Sequence, residues 1–391
     1  MTLPLPKGFF LDAVRAGIKS KGLDFGFILS ERMCNAAGVF TTNQSKAAPV
    51  KLSQQVLANQ QLQGILVNSG NANAATGKQG MQDAKQLQEV FAKRAQIPVD
   101  LVAVASTGAI GPHLPMEKML PMIEQFTLTN HSIDNFQQAI MTTDTKEKQA
   151  GRVIETANGP VTIFGVAKGS GMIHPLMGTM LCFVLTDAQI EGDLLQQWVK
   201  KSTDGSFNQV SIDGDTSTND SVFLLANGAS QSEIIEGSPD AQLFYTTLEE
   251  IMVELAKAIA GDGEGATRML EVVVQSAPTQ ILARDAARKI VRSPLVKAAV
   301  YGHDPNWGRI LSTLGMSEIA IDLEKIIIQI GPVIVYLHGE AQEYNEEILT
   351  QYFEEETIRF TIDLASGEAT GTAWGCDLTE KYVELNAHYH T

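Results

Sequence analysis

Short runs of β-branched and aliphatic residues recur along the chain: Gly64-Ile-Leu-Val, Leu101-Val-Ala-Val-Ala, Val161-Thr-Ile-Phe, Met180-Leu-Cys-Phe-Val-Leu and Ile326-Ile-Ile-Gln-Ile. Continuous apolar runs of this length, each followed closely by Gly, Asn, Ser or Asp, predict buried strands. Elsewhere apolar residues return every three or four positions, over about 80–96, 191–202, 239–260, 278–291 and 345–352, and predict amphipathic helices. In the fourth of these, Ile281, Ala286 and Ile290 are expected to share a face. No internal repeat or low-complexity tract interrupts the pattern, so an α/β fold is expected.

Composition narrows the class. With 391 residues, 44% hydrophobic and 19% charged, the chain can fill two domains or one large α/β unit without covalent staples. Cys34, Cys182 and Cys376 are widely spaced and include no CxxC, which indicates neither a disulfide framework nor a zinc site and fits a reducing cytoplasm. No basic segment followed by an apolar run opens the sequence, and no stretch reaches the ~18 apolar residues of a membrane span, so a cytoplasmic protein free of membrane is expected. The 29 basic and 45 acidic side chains give a net charge of −16, which argues against nucleic acid as a partner. That charge is uneven: residues 1–178 hold 16 basic and 12 acidic side chains, net +4, and residues 179–391 hold 13 and 33, net −20.

Chemistry is expected where small polar residues follow the predicted strands, because such turns leave backbone N–H groups free to face a ligand. Asn68-Ser-Gly-Asn-Ala-Asn-Ala-Ala-Thr-Gly77 has neither the lysine of a P-loop nor GxGxxG spacing, and reads as a small-residue packing turn or a binding loop. Ser106-Thr-Gly-Ala-Ile-Gly111 can aim consecutive N–H groups at an oxyanion. Asp213-Gly-Asp-Thr-Ser-Thr-Asn-Asp220 imitates a calcium loop, but its sixth position is Thr218 and its twelfth Leu224, so calcium is rejected. The histidines form no HExxH, and no metal or other cofactor is expected.

Lys168-Gly-Ser-Gly-Met-Ile-His-Pro-Leu-Met-Gly-Thr179 leads into the apolar strand that starts at Met180. Gly178-Thr179 reads either as a plain strand entry or as a self-cleavage site. In the second case the Thr179 hydroxyl attacks its own preceding carbonyl, an N-to-O shift follows, and hydrolysis leaves Thr179 as a new N-terminus. Its α-amine, with an ordinary pKa of ~7.7–8.0, then serves as base to its own hydroxyl, and no histidine is required.

These segments, together with Ala37-Gly-Val-Phe-Thr-Thr-Asn43, Thr142-Thr-Asp-Thr145, Gly261-Asp-Gly-Glu-Gly-Ala-Thr-Arg268, Ser293-Pro-Leu-Val-Lys297, Asp304-Pro-Asn-Trp-Gly-Arg309, Gly375-Cys-Asp-Leu-Thr379 and the tail from Tyr382, resemble the ornithine acetyltransferases over essentially the whole chain. These are bifunctional glutamate N-acetyltransferases of the cyclic arginine pathway. Two positions depart from the family pattern: Leu176-Met-Gly-Thr179 stands where Asn-Met-Ala-Thr is usual, and Arg268 where lysine is common.

The resemblance implies a layered α-β-β-α fold, of the type shared with the DmpA-like enzymes, built from two autoproteolytic fragments, 1–178 and 179–391, and assembled as a heterotetramer. It implies transfer of acetyl from N-acetylornithine to glutamate through an acetyl-enzyme on Thr179. Thr107 and Gly108 match the oxyanion hole. Thr142, Lys168, Thr179, Glu264, Asn386 and Thr391 match substrate-binding positions, Lys168 suiting a carboxylate and Glu264 the ammonium of ornithine. Whether acetyl-CoA is a second donor stays open. So does hydrolysis, with water replacing glutamate as acceptor.

Overall fold

The computed structural model describes residues 3–174 and 180–388, so Gly178, Thr179 and Thr391 lie outside the described residues. Its first sheet contains β1 (Phe9–Val14), β2 (Phe25–Phe40), β3 (Gln61–Asn71), β4 (Val102–Ala109), β5 (Lys148–Thr156), β6 (Gly159–Lys168), β7 (Leu181–Thr186) and β8 (Ser221–Ala226), paired in the order β4-β3-β2-β8-β7-β6-β5 with β1 on β2. The pairs β3–β4 and β7–β8 are parallel. Strand β2 is long enough to serve two neighbourhoods: Phe25–Leu29 pair with β1 and β3, and Asn35–Phe40 pair with β8.

Alternation along the strands shows how this sheet is layered. Phe27, Leu66 and Val104 pack with Leu87 and Phe91 of the helix Gly77–Ala95 and with Met119 and Ile123 of the helix Met116–Ile123. Residues of the opposite parity, such as Ile28, Ile65 and Ala103, share a core with Phe164, Val166, Phe183 and Phe223 of β6, β7 and β8. The far side of those strands, with Ile163, Val184 and Leu224, packs on Leu195 and Val199 of the helix Gly192–Gly205 and on Leu248 and Leu255 of the helix Pro239–Ala260. One paired sheet thus turns over at β2 into two stacked layers between helices, an α-β-β-α stack.

A second sheet holds β9 (Met269–Ala277), β10 (Ile327–Ile330), β11 (Val333–Leu337), β12 (Glu340–Ala341), β13 (Thr357–Asp363) and β14 (Ala369–Cys376), in the order β12-β11-β10-β13-β9-β14. Its Val272, Ile328 and Ile362 are covered by Ala286, Ile290 and Val300 of the helices Gln280–Arg292 and Pro294–Tyr301. Trp374 and Cys376 of β14 join the core of the first unit.

All five predicted helices are present, at Gly77–Ala95, Gly192–Gly205, Pro239–Ala260, Gln280–Arg292 and Glu346–Tyr352. One expected face is corrected: Ala286 and Ile290 are buried, but Ile281 is 78% exposed. Five residues at ~100° each carry Ile281 about 140° away from Ala286, which puts the two on different faces. Strands β7 and β8, which follow residue 179 in sequence, lie in the middle of a sheet whose other strands precede that residue.

Candidate active site

Strand β4 ends in Ser106-Thr107-Gly108, and its pairing with β3 sets Gly108 beside Gly70. Gly108 has φ +129°, and a Cβ there would collide with the Gly70–Asn71 backbone, so both its conformation and the close strand approach require glycine. The segments 68–77 and 213–220 are framework for this strand end. Ser106 donates to Asn68 Oδ1 (2.6 Å), and the Asn219 amide donates to the carbonyls of Ala72 (2.6 Å) and Ser106 (2.8 Å).

Thr107 and Gly108 open onto a cavity of about 90 Å³ that is also lined by Thr142, Glu264, Asn386, Met172 and Asn219. Thr142 follows the helix Ile133–Ile140, Glu264 follows the helix Pro239–Ala260, and Asn386 sits on the helix Glu380–Ala387. The Asn386 amide donates to Glu264 Oε2 (2.8 Å), which joins the last helix to the cavity. Five of the residues singled out from sequence therefore meet around one space, although they are spread over 280 positions.

Lys168 takes a different place from the others. It is 1% exposed and stands behind the cavity wall, where its ammonium donates to Thr142 Oγ1 (2.9 Å) and Thr107 Oγ1 (3.3 Å). With Thr107 Oγ1 accepting from Lys168, the Thr107 hydroxyl hydrogen is left to point elsewhere, and the cavity is the space it borders. Burial pulls the Lys168 ammonium below the ordinary lysine range, against the opposing pull of Asp144.

Sequence reasoning missed the charged framework beneath this wall. Lys148 bridges Asp144 (2.8 Å) and Asp262 (2.6 Å), with all three side chains essentially buried. Asp144 also accepts the amides of Gly169 (2.7 Å) and Thr142 (3.0 Å). Burial opposes the charged Asp144 carboxyl, but Lys168 and Lys148 outweigh it and hold it down to about 2. Asp144 and Asp262 sit inside the family segments 142–145 and 261–268, but Lys148 lies outside every such segment, and nothing in one sequence pairs the three. Asp220 ends the segment that imitates a calcium loop. It is fully buried and accepts the Met180 amide (2.8 Å), and burial pushes its carboxyl well above the ordinary range.

Arg268, the second departure from the family pattern, donates to the Phe353 carbonyl (3.0 Å) and pairs with Glu354 (3.3 Å), which anchors it to the second sheet. The nucleophile candidate Thr179, with Gly178 and Thr391, falls outside the described residues.

Comparison with known proteins agrees with the motifs. A family model described as the ArgJ family matches residues 10–391. The arginine biosynthesis bifunctional protein ArgJ of Oceanobacillus iheyensis is 45% identical over 388 residues, spanning 99% of this chain and 95% of that protein. Its counterpart from Listeria monocytogenes serotype 4b is 47% identical over 388 residues, spanning 99% and 98%. A crystal structure of the arginine biosynthesis bifunctional protein ArgJ from Bacillus halodurans is 42% identical with a TM-score of 0.52, and covers 53% of this chain and 98% of the solved one. With matches of this extent the chain belongs to the ArgJ family, the glutamate N-acetyltransferases (ornithine acetyltransferases) of arginine biosynthesis.

Proposed function

We propose that the transfer runs as a ping-pong reaction on Thr179 after the chain is cut between Gly178 and Thr179. The Thr179 amine accepts the hydroxyl proton as Oγ1 attacks the acetyl carbonyl of N-acetylornithine. Thr107 Oγ1–H and the Gly108 N–H stabilise the oxyanion. The C–N bond then breaks, the ammonium proton passes to the departing ornithine amine, and an acetyl ester stays on Thr179. The glutamate amine attacks that ester and gives up its proton to the Thr179 amine, the C–O bond to Thr179 breaks, the proton returns to Oγ1, and N-acetylglutamate leaves.

The observation that carries this reading is the convergence of Thr107, Gly108, Thr142, Glu264 and Asn386 on one cavity beside the β6–β7 ladder, in which Lys168 is paired with Leu181. Residue 179 is two positions before Leu181, a span of at most ~7 Å. Lys168, behind the wall, acts by orienting and charging the Thr107 and Thr142 hydroxyls. Thr391 completes the amino-acid site, and two cleaved chains make up the heterotetramer. The cut is further supported by proportion: the solved Bacillus halodurans chain matches over 98% of itself yet spans 53% of this chain, close to the roughly 54% made up by residues 179–391. Acetyl-CoA as an additional donor is part of the same proposal, since its acetyl would enter the same ester.

Two substitutions test the assignment. Thr107→Val removes a hydroxyl donor but keeps the shape, and is expected to lower kcat by ~10²–10³ with little change in KM. Unchanged turnover would remove Thr107 from the oxyanion hole. Glu264→Gln is expected to raise KM for N-acetylornithine roughly 10- to 100-fold, the worth of a charge-assisted hydrogen bond to its side-chain ammonium. The glutamate KM should move far less, because glutamate has no such group, and an equal rise for both substrates would contradict the pairing.

A further inference from the structure

A second and larger cavity, of about 370 Å³, lies along the helix Gln280–Arg292. Its volume is within the range of small-ligand sites. Arg284, Arg288, Lys289 and Arg292 line it, in a half of the chain whose net charge is −20. The three arginines recur at i, i+4 and i+8 and so share one face of the helix. Asp285 partners two of the four cations, Arg288 (3.4 Å) and Lys289 (2.8 Å). Among the described residues, Arg284 and Arg292 have no carboxylate within ion-pair distance. The other acid in the lining, Asp204, accepts from the Asn208 amide (2.8 Å).

The cavity shares a wall with the acyl-transfer site. His174 lines it, whereas Met172 lines the cavity of Thr107 and Glu264. Two residues span at most ~7 Å. The wall is tied down from behind: Asp213 accepts the amides of Met172 (2.6 Å) and Ile173 (3.0 Å), and His174 Nδ1 meets Ser211 Oγ (3.1 Å). Arg292 packs over the same loop, since a Cβ on Gly214 would come within 3.0 Å of its Nε. Burial, reinforced by Arg292 and Arg288, holds His174 down to about 4, so no further positive charge is added at neutral pH.

We propose that this cavity binds the phosphates of a nucleotide-type ligand, with Arg284 and Arg292 as its main anion contacts. Guanidinium forks match phosphate oxygens in pairs, and among the described residues these two have no carboxylate at ion-pair distance. They are eight residues apart, ~12 Å along the helix axis, which favours a ligand with more than one phosphate. The exposed Ile281 at the same cavity offers an apolar contact to a base or sugar, and the buried Gln209, whose Nε2 is held by the Asp204 carbonyl (2.8 Å), has its Oε1 without a partner among the described residues. Such a ligand has two sources: the nucleotide handle of an acyl carrier that delivers its acyl group past Met172 to Thr179, or a free nucleotide that acts on the site through the shared wall. Binding itself is independent of the Thr179 mechanism, and only the acyl-carrier source rests on it.

Calorimetric titration of ADP and of pyrophosphate into the purified enzyme tests the proposal. Saturable binding is expected, weakened by added salt and by at least about tenfold in Arg284→Gln/Arg292→Gln, while exchange between N-acetylornithine and glutamate stays within about twofold. Arg292→Gln alone, at an exposed position, serves if the double variant folds poorly, and should weaken binding in the same direction. A KM for acetyl-CoA raised by the variant identifies the acyl carrier as the source; an exchange rate altered by ADP in the parent enzyme and not in the variant identifies a free nucleotide. Absence of saturable binding, or equal binding by parent and variant, overturns the site. Loss of acetyl exchange on mutating Thr179, with ADP binding intact, would touch the mechanism alone.

Discussion

Thr179→Ala is expected to leave the chain whole at 42.3 kDa, where the parent is expected to run as fragments of 178 and 213 residues, and to lower acetyl transfer on the order of 10⁴-fold or more. Both effects come from one hydroxyl. On the proposed mechanism it attacks the Gly178 carbonyl before cleavage and afterwards carries the acetyl group, activated by the amine that cleavage exposes. An internal threonine has no such base, so an uncut chain is inactive even with the cavity intact. Mass spectrometry after incubation with N-acetylornithine alone should find acetyl on the 213-residue fragment of the parent, discharged by glutamate, and none on Thr179→Ala. A variant that is still cut, or that retains transfer within about tenfold of the parent, would mean that another residue is the nucleophile.

If the chain is cut there, what holds the pieces together is legible only in the structure. Charge arithmetic, +4 against −20, suggests electrostatic association. The structure points to a stronger cause. Phe183, Phe223 and Leu225, which follow the cut, are buried among Ile65, Phe164 and Val166, which precede it. Burying each such side chain contributes ~1.5–3 kcal/mol, and the β2–β8 and β6–β7 ladders add their hydrogen bonds. Net charge acts over a solvent that screens it within about 10 Å. Apolar packing therefore dominates.

The same contrast explains which parts of the fold could be read in advance. Helices with a wide apolar stripe, such as Pro239–Ala260, announce themselves by period, and strands buried on both faces, such as β7, by an unbroken apolar run. Strand β2 does not, because Ser30-Glu-Arg-Met-Cys-Asn35 runs through its middle, and the polar residues belong to the stretch where one layer turns into the other. The helix Glu380–Ala387 buries no residue, so no stripe marks it, and only the family motif drew attention to Asn386. Thr107, Gly108 and Glu264 were likewise found through motifs. Asp144 and Asp262 lie in motifs too, but their bridge through Lys148 has no signature, since Lys148 stands outside every motif and meets Asp262 across 114 positions.

That framework carries the second large effect. Lys148→Met is expected to destabilise the protein by about 3–5 kcal/mol, because it leaves Asp144 and Asp262 facing each other in the interior with no cation between them. Lys148 also joins the segments that carry the site: Asp144 holds the amides of Thr142 and Gly169, and Asp262 holds Thr145 and lies two residues before Glu264. A folded remnant of the variant should therefore show a raised KM as well as a lower melting temperature. Acid gives an independent check. In the parent, Asp144 titrates at about 2 in the folded state and near ~3.9 when unfolded, so its stabilisation is complete above pH ~4 and is lost as pH falls through 2. In the variant the two carboxylates can relieve their repulsion by taking up a proton. The gap in unfolding free energy between parent and variant should thus be widest at neutral pH and narrow on acidification below pH ~4. Urea unfolding at pH 7 and at pH ~2.5 measures both ends, and a neutral-pH gap below about 1 kcal/mol would show that Lys148 is dispensable to the interior it bridges.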